Sequence, residues 1–213
     1  MNTSLCKYFA VMLLVGVVLT GCSPVSTEAK SDQARVANPD VPAEQLAALV
    51  GGNNSFAMDL YQSLRGSGGN LFYSPYSISL ALAMTYGGAR GDTEAQMAQA
   101  LHFDLPQAEL HPAFNQLDLD LAQQGEAEDK DIEPMQLNVA NAVWAQQDYA
   151  FLPEYLDLLA LNYGAGIHQS DFITQAEPTR REINKWVSDQ TNDRIQDIIG
   201  PGMLDALTRM VLV

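Results

Sequence analysis

Two cysteines in 213 residues, Cys6 and Cys22, offer little material for a disulfide framework. Basic residues are also scarce, with 11 Lys and Arg against 26 Asp and Glu for a net charge of -15. A surface of that sign repels phosphate backbones, which makes nucleic acid a poor partner. The three histidines, His102, His111 and His168, do not fall at metal-ligand spacing, and no cysteine pair can complete a site, so neither a metal nor another cofactor is expected. Ser, His and Asp are plentiful, but the G-x-S-x-G elbow that would activate a serine is absent, and the chain does not read as an enzyme. The apolar run Tyr8 to Leu19 is too short to cross a bilayer as a mature helix.

That run has a different use. Lys7 precedes it and Leu19-Thr20-Gly21-Cys22 closes it. The order of positive start, short apolar stretch and small residues before a cysteine resembles a lipobox. Residues 1–21 are accordingly expected to be a lipoprotein signal peptide, with Cys22 the site of lipid attachment. Ser23 follows the cysteine, which by the sorting rule of such lipoproteins implies the bacterial outer membrane, on its periplasmic or extracellular face. Removal of residues 1–21 takes away one base, Lys7, and no acid, moving the net charge from -15 to -16. It also takes Cys6, so the mature chain can form no internal disulfide and must be held by packing. Residues 22–42 are polar, with Pro, Ser and Ala and no apolar period, and are expected to be a flexible tether with a reach of roughly 25 Å. A domain is expected over residues 43–213.

Within it, Phe56, Ala57, Leu60, Tyr61 and Leu64 form a helical stripe ended by Gly66-Ser67-Gly68-Gly69. Asn70 to Ser74 reads as a short apolar strand. Pro75 opens a helix that is apolar all round, hence buried all round, and Gly87-Gly88 ends it. Thr93-x-x-Gln96 has the form of a capping box for a third helix, with Met97 and Leu101 facing inward. Leu110, Phe114, Leu117 and Leu121 mark a fourth within residues 106–124. Gly125 to Glu133 is an acidic connection, expected as a solvated loop. Residues 137–144 read as a strand covered on both faces, because both alternating sets are largely apolar. A helix over Pro153–Tyr163, a strand over Gly166–Phe172, an amphipathic helix through Ile183, Trp186, Val187 and Gln190, and a strand over Ala206–Val213 complete the pattern. Thr174-x-x-Glu177 and Thr179-x-x-Glu182 both fit a capping box, leaving the start of that last helix open.

Several segments in order carry a family likeness. They are Asn70-Leu71-Phe72-Tyr73-Ser74-Pro75-Tyr76-Ser77-Ile78-Ser79, then Ala81-Leu82-Ala83-Met84, Gly88-Ala89-x-Gly91-x-Thr93-x-x-Gln96 and Leu101-x-Phe103. Asn141, Tyr155, Tyr163, Asp171-Phe172, Ile183-Asn184-x-Trp186-Val187, Thr191, Arg194-Ile195 and Met210-Val211-Leu212-Val213 continue it. Order and spacing from about residue 50 onward resemble the serpin family. The resemblance implies an α+β fold in which helices pack on a central sheet. It implies a shutter at Ser74, Pro75 and Ser77, with Asn70 just before it, where short hydroxyls face strands that must separate. The same residues also suit a plain helix start, with Ser74 as N-cap and Pro75 in the first turn.

In that family an exposed loop near the C-terminus baits a serine, or at times cysteine, protease. The enzyme forms an acyl-enzyme with the loop, and the cut loop inserts into the sheet as a new strand. The family pattern continues beyond Val213 with Asn-Ala-Ile-Tyr-Phe-Lys-Gly and, later, the bait. Residues 1–213 are therefore expected to be an incomplete serpin fold with an open apolar sheet edge and no reactive-centre bond, inactive as a trap by themselves. A non-inhibitory serpin-fold binding protein on the bacterial surface is the alternative. Arg90-Gly91-Asp92 is better explained as a turn between helices than as an adhesion signal. Residues 106–125 hold Glu109, Asp118 and Asp120 but no Lys or Arg, so a sulfated polysaccharide activator is not expected.

Overall fold

The computed structural model describes residues 26–124 and 139–213. Strand β1 covers Ser26–Ala29, and four helices follow: α1 Ala43–Leu64, α2 Pro75–Tyr86, α3 Asp92–Leu101 and α4 Gln107–Gln124. Strand β2 is Val143–Gln146, α5 Pro153–Tyr163, β3 Ile167–Ser170, α6 Phe172–Gln190 and β4 Met210–Leu212. The four strands form one sheet in the order β1-β3-β2-β4. β2 and β3 run parallel, joined through α5, and β1 and β4 flank them antiparallel. Among the described residues β4 has no partner on its outer side.

Helices cover both faces of the sheet. On one face Val143, Ala145 and Ile167 meet Ala81 and Met84 of α2 and Leu159 of α5. On the other, Ala142 and Trp144 meet Phe172, Ile183 and Val187 of α6. Neighbouring residues of β2 thus enter different cores, which is why both alternating sets in that strand are apolar. The far side of α2, through Leu80, Ala83 and Tyr86, packs into a second helical layer with Leu49, Phe56, Leu101, Phe103 and Phe114. A helix caught between a sheet and other helices has no solvent side, which accounts for its uniform apolarity.

Several local expectations are corrected. Asn70–Ser74 pairs with no strand among the described residues, and Phe72 stands fully exposed. α3 opens on Gly91 at φ 62°, without a side-chain cap, so Thr93 lies inside the helix rather than at its N-cap. Neither threonine starts α6: the Asp171 carboxylate accepts the Ile173 and Thr174 backbone N–H groups, and Thr179 is buried within the helix. A carboxylate at that end also meets the positive pole of the helix. Gln175 breaks the helical dihedrals one turn in, so α6 is kinked. The expected strand over 206–213 is confined to its last residues, because Asp205 organises a turn by accepting the Leu207 and Thr208 N–H groups.

The largest correction concerns residues 22–42. In place of a flexible tether, the described part from Ser26 onward is docked. β1 pairs along β3 from Ser26 opposite Ser170 to Ala29 opposite Ile167. Ser31 hydrogen-bonds Asp157, Arg35 reaches Asn115 at 2.7 Å and Asp118 at 2.8 Å, and the Val36 N–H donates to Leu161 O. Gly166 makes the docking possible. A Cβ there would stand 2.8 Å from Ala29 O and 2.9 Å from Lys30 Cβ. The pattern concealed this strand because an edge strand held by backbone hydrogen bonds buries too little side chain to require apolar alternation. The acidic connection Gly125–Glu133, together with residues 137–138 of the expected strand, lies outside the described residues.

Candidate functional site

The site implied by the sequence falls at the start of α2. The Ser74 Oγ accepts the Ser77 N–H at 3.2 Å, and Pro75 occupies the first turn, where its missing donor costs nothing. Ser74 is therefore an N-cap. Ser77 is half-buried, and Asn70 lies ahead of the helix on an exposed stretch. One serine of the same helix was not singled out. Ser79 is completely buried, and its Oγ has no hydrogen-bond partner among the described residues. A buried hydroxyl without a partner costs about 1–3 kcal/mol. No pattern within the helix marks Ser79, because Ser77 and Thr85 place hydroxyls in it as well.

Next to α2 lies a buried polar pair. His111 of α4 is 2% exposed, and its Nδ1 is 2.6 Å from the Tyr163 hydroxyl. Burial, with the Arg90 charge adding to it, pushes the imidazole down to about 4. Burial drives the Tyr163 phenol well above its ordinary range, so both partners are neutral at pH 7. His111 is thereby a packing element with a polar tip.

On the opposite face of the sheet, His168 stacks on Trp144 with ring centroids 4.3 Å apart and meets Trp186 edge-on at 6.1 Å. Burial lowers its imidazole, with Glu28 and Glu182 pulling the other way. α6 also holds the chain leading to β4. The Asn184 side chain accepts the Ile199 N–H at 3.0 Å and donates to Ile199 O at 2.9 Å. Arg180 donates to the same carbonyl at 2.7 Å, steadied by Glu177 at 2.8 Å. Those bonds from Arg180 and its neighbour Arg181 hold the Glu177 carboxyl down at about 2. The Ile183-Asn184-x-Trp186-Val187 motif is thus a brace that sets β4 beside β2.

A sheet clamped between a buried helix that begins Ser-Pro-x-Ser and a bracing helix on the other face, with β4 open on its outer side among the described residues, defines a protein of the serpin class. The family model described as "Serpin (serine protease inhibitor)" matches residues 51–213, and the chain belongs to the serpin family. It is similar to the leukocyte elastase inhibitor of Bos taurus, 42% identical over 172 residues, covering 80% of this chain and 42% of the relative. The Homo sapiens leukocyte elastase inhibitor is 37% identical over 172 residues, with 80% and 42% coverage. Among solved structures, emu ovalbumin (Dromaius novaehollandiae) matches with a TM-score of 0.64 at 28% identity, over 78% of this chain and 45% of that one. Arabidopsis AtSerpin1 in its native stressed conformation shares the fold with a TM-score of 0.65 at 23% identity, over 79% of this chain and 42% of that one. The chain thus spans less than half the length of these relatives. The α+β, incomplete serpin fold read from the sequence is what the structure shows. Cys22 lies outside the described residues.

Proposed function

We propose that the whole protein is an inhibitor of serine endopeptidases, and by extension of cysteine endopeptidases, that acts by suicide-substrate trapping. It would be held by lipid at Cys22 to the bacterial outer membrane. Residues 1–213 form the scaffold half of that trap and do not inhibit by themselves. The similarity to leukocyte elastase inhibitors over 80% of this chain carries the reading. In this proposal the target's serine attacks the carbonyl of the bait's scissile bond, an ester to the enzyme replaces that peptide bond as the downstream segment leaves as a free amine, and strand insertion into the sheet distorts the enzyme before water can release it. The protein is then a consumed substrate and no enzyme. Ser74, Pro75 and Ser77 form the shutter, with Asn70 alongside, and Ser79 adds a hydroxyl at the buried face of the same helix. Incubating the whole protein with elastase-, chymotrypsin-, subtilisin- and papain-like proteases tests this. A covalent complex that survives denaturing electrophoresis is expected with one or more of them. Cleavage without any such complex would overturn inhibition and favour the non-inhibitory binding scaffold.

A further inference from the structure

The docked leader changes what a lipid anchor at Cys22 would do. Only Ser23, Pro24 and Val25 separate that cysteine from Ser26, the first residue of β1. Four Cα steps span at most about 14 Å. The anchor would therefore be tied to one particular end of the sheet.

That end can be named. Ser26 stands opposite Ser170, Ser170 pairs with Gln146, and the Gln146 N–H donates to Arg209 O. The start of β1, the C-terminal ends of β2 and β3 and the beginning of β4 therefore lie in one row. The chain leaving this row exposes large apolar side chains. Tyr149 and Leu152 follow β2, with Leu152 70% exposed, and Ile173 follows β3. Leu207, 79% exposed, precedes β4, and Met210 is its first residue. These five are among the fourteen exposed large apolar side chains of the described residues; each lies in a segment adjoining the row that β1 enters, and Leu152 and Met210 line one cavity. The other end of β1 passes instead to the exposed Lys30.

We propose that this end of the sheet, with Tyr149, Leu152, Ile173, Leu207 and Met210, rests on the lipid bilayer, the short stretch between Cys22 and β1 holding it there. The inference builds on the lipoprotein reading above and adds the orientation of the body. Charge does not drive the contact. Asp148, Asp171 and Asp205 stand at the same end with Arg209, and a mature net charge of -16 opposes an anionic surface. The apolar rim gains from the interface only because the covalent lipid keeps it within reach. β1 is the rigid part of the link, and its pairing with β3 converts a lipid at one point into a fixed stance.

The test uses the mature, acylated full chain in phosphatidylethanolamine–phosphatidylglycerol vesicles that carry nitroxide-headgroup lipid. Within residues 1–213 lipidation consumes the Cys22 thiol and Cys6 leaves with the signal; with any cysteine beyond them replaced by serine, a cysteine introduced at an exposed position is the sole free thiol. Bimane at Leu152→Cys and Leu207→Cys should be quenched several-fold more strongly than bimane at Lys30→Cys or Met58→Cys. A flexible Gly/Ser insertion of about ten residues between Ser23 and Pro24 should abolish the difference while leaving the acylation intact. Equal quenching at all four positions in a protein whose N-terminal peptide carries the acyl mass overturns the orientation and leaves the lipoprotein reading standing. Absence of the acyl mass, with Cys22→Ser failing to release protein from the membrane fraction, overturns that reading and the orientation with it.

Discussion

Gly51 and Gly52 are adjacent in α1, yet alanine should have opposite effects at the two positions. In a helix interior Gly is less favourable than Ala by about 1 kcal/mol, because it loses more backbone freedom on folding. Gly51 is exposed and a Cβ there would meet nothing within 4 Å, so Gly51→Ala should collect that gain, about 0.4–1 kcal/mol. Gly52 is buried against the end of α3, where a Cβ would fall 2.2 Å from the backbone O of His102. That oxygen is not the tip of a mobile side chain. It belongs to the left-handed residue that caps α3, at φ 54°, so relief requires α1 and α3 to move apart. Overpacking of this kind costs about 1–3 kcal/mol and outweighs the propensity gain. The propensity gain is common to both, so the two variants should differ by the overpacking cost, about 1–3 kcal/mol, in urea unfolding of the mature chain, with unchanged slope and with Gly52→Ala the less stable. If Gly52→Ala matches or exceeds wild type, the close approach of α1 to the α3 cap is wrong.

Three further outcomes follow from the same geometry. His111 is held neutral in the folded state with its imidazole near 4, against 6.5 when unfolded. The unfolded chain therefore takes up the proton first as pH falls, and stability should be full above pH 6.5 and decline toward pH 4 by about 3 kcal/mol. His111→Gln should flatten that part of the stability–pH curve, and an unchanged slope would place the titration elsewhere. Gly166→Ala should force β1 away from β3 and speed tryptic cleavage after Lys30, with little effect on the circular dichroism of the helices; cutting at the wild-type rate would mean that the leader is not docked as described. Asn184→Ala strips Ile199 of a donor and an acceptor and should cost about 1–3 kcal/mol in urea unfolding, with the chain before β4 becoming the first segment to exchange its amides.

The amino-acid order alone determined much of this protein. The helical stripes of α1 and α4, the extent of α5, the proline start and all-round burial of α2, the two-faced strand through Trp144 and the family membership were legible because each depends on local periodicity or on residues in fixed order. Tertiary structure decided what depends on partners distant in the chain. Ser26–Ala29 becomes a strand only because Gly166 leaves room for its backbone. Asn70–Ser74, apolar enough for a strand, stays irregular because no strand pairs with it among the described residues. Asp171 rather than either threonine starts α6, because the turn out of β3 brings its carboxylate onto the first free N–H groups. Ser79 is set apart from Ser74 and Ser77 by burial from two sides at once, a property of the layers around α2 and of no pattern within it.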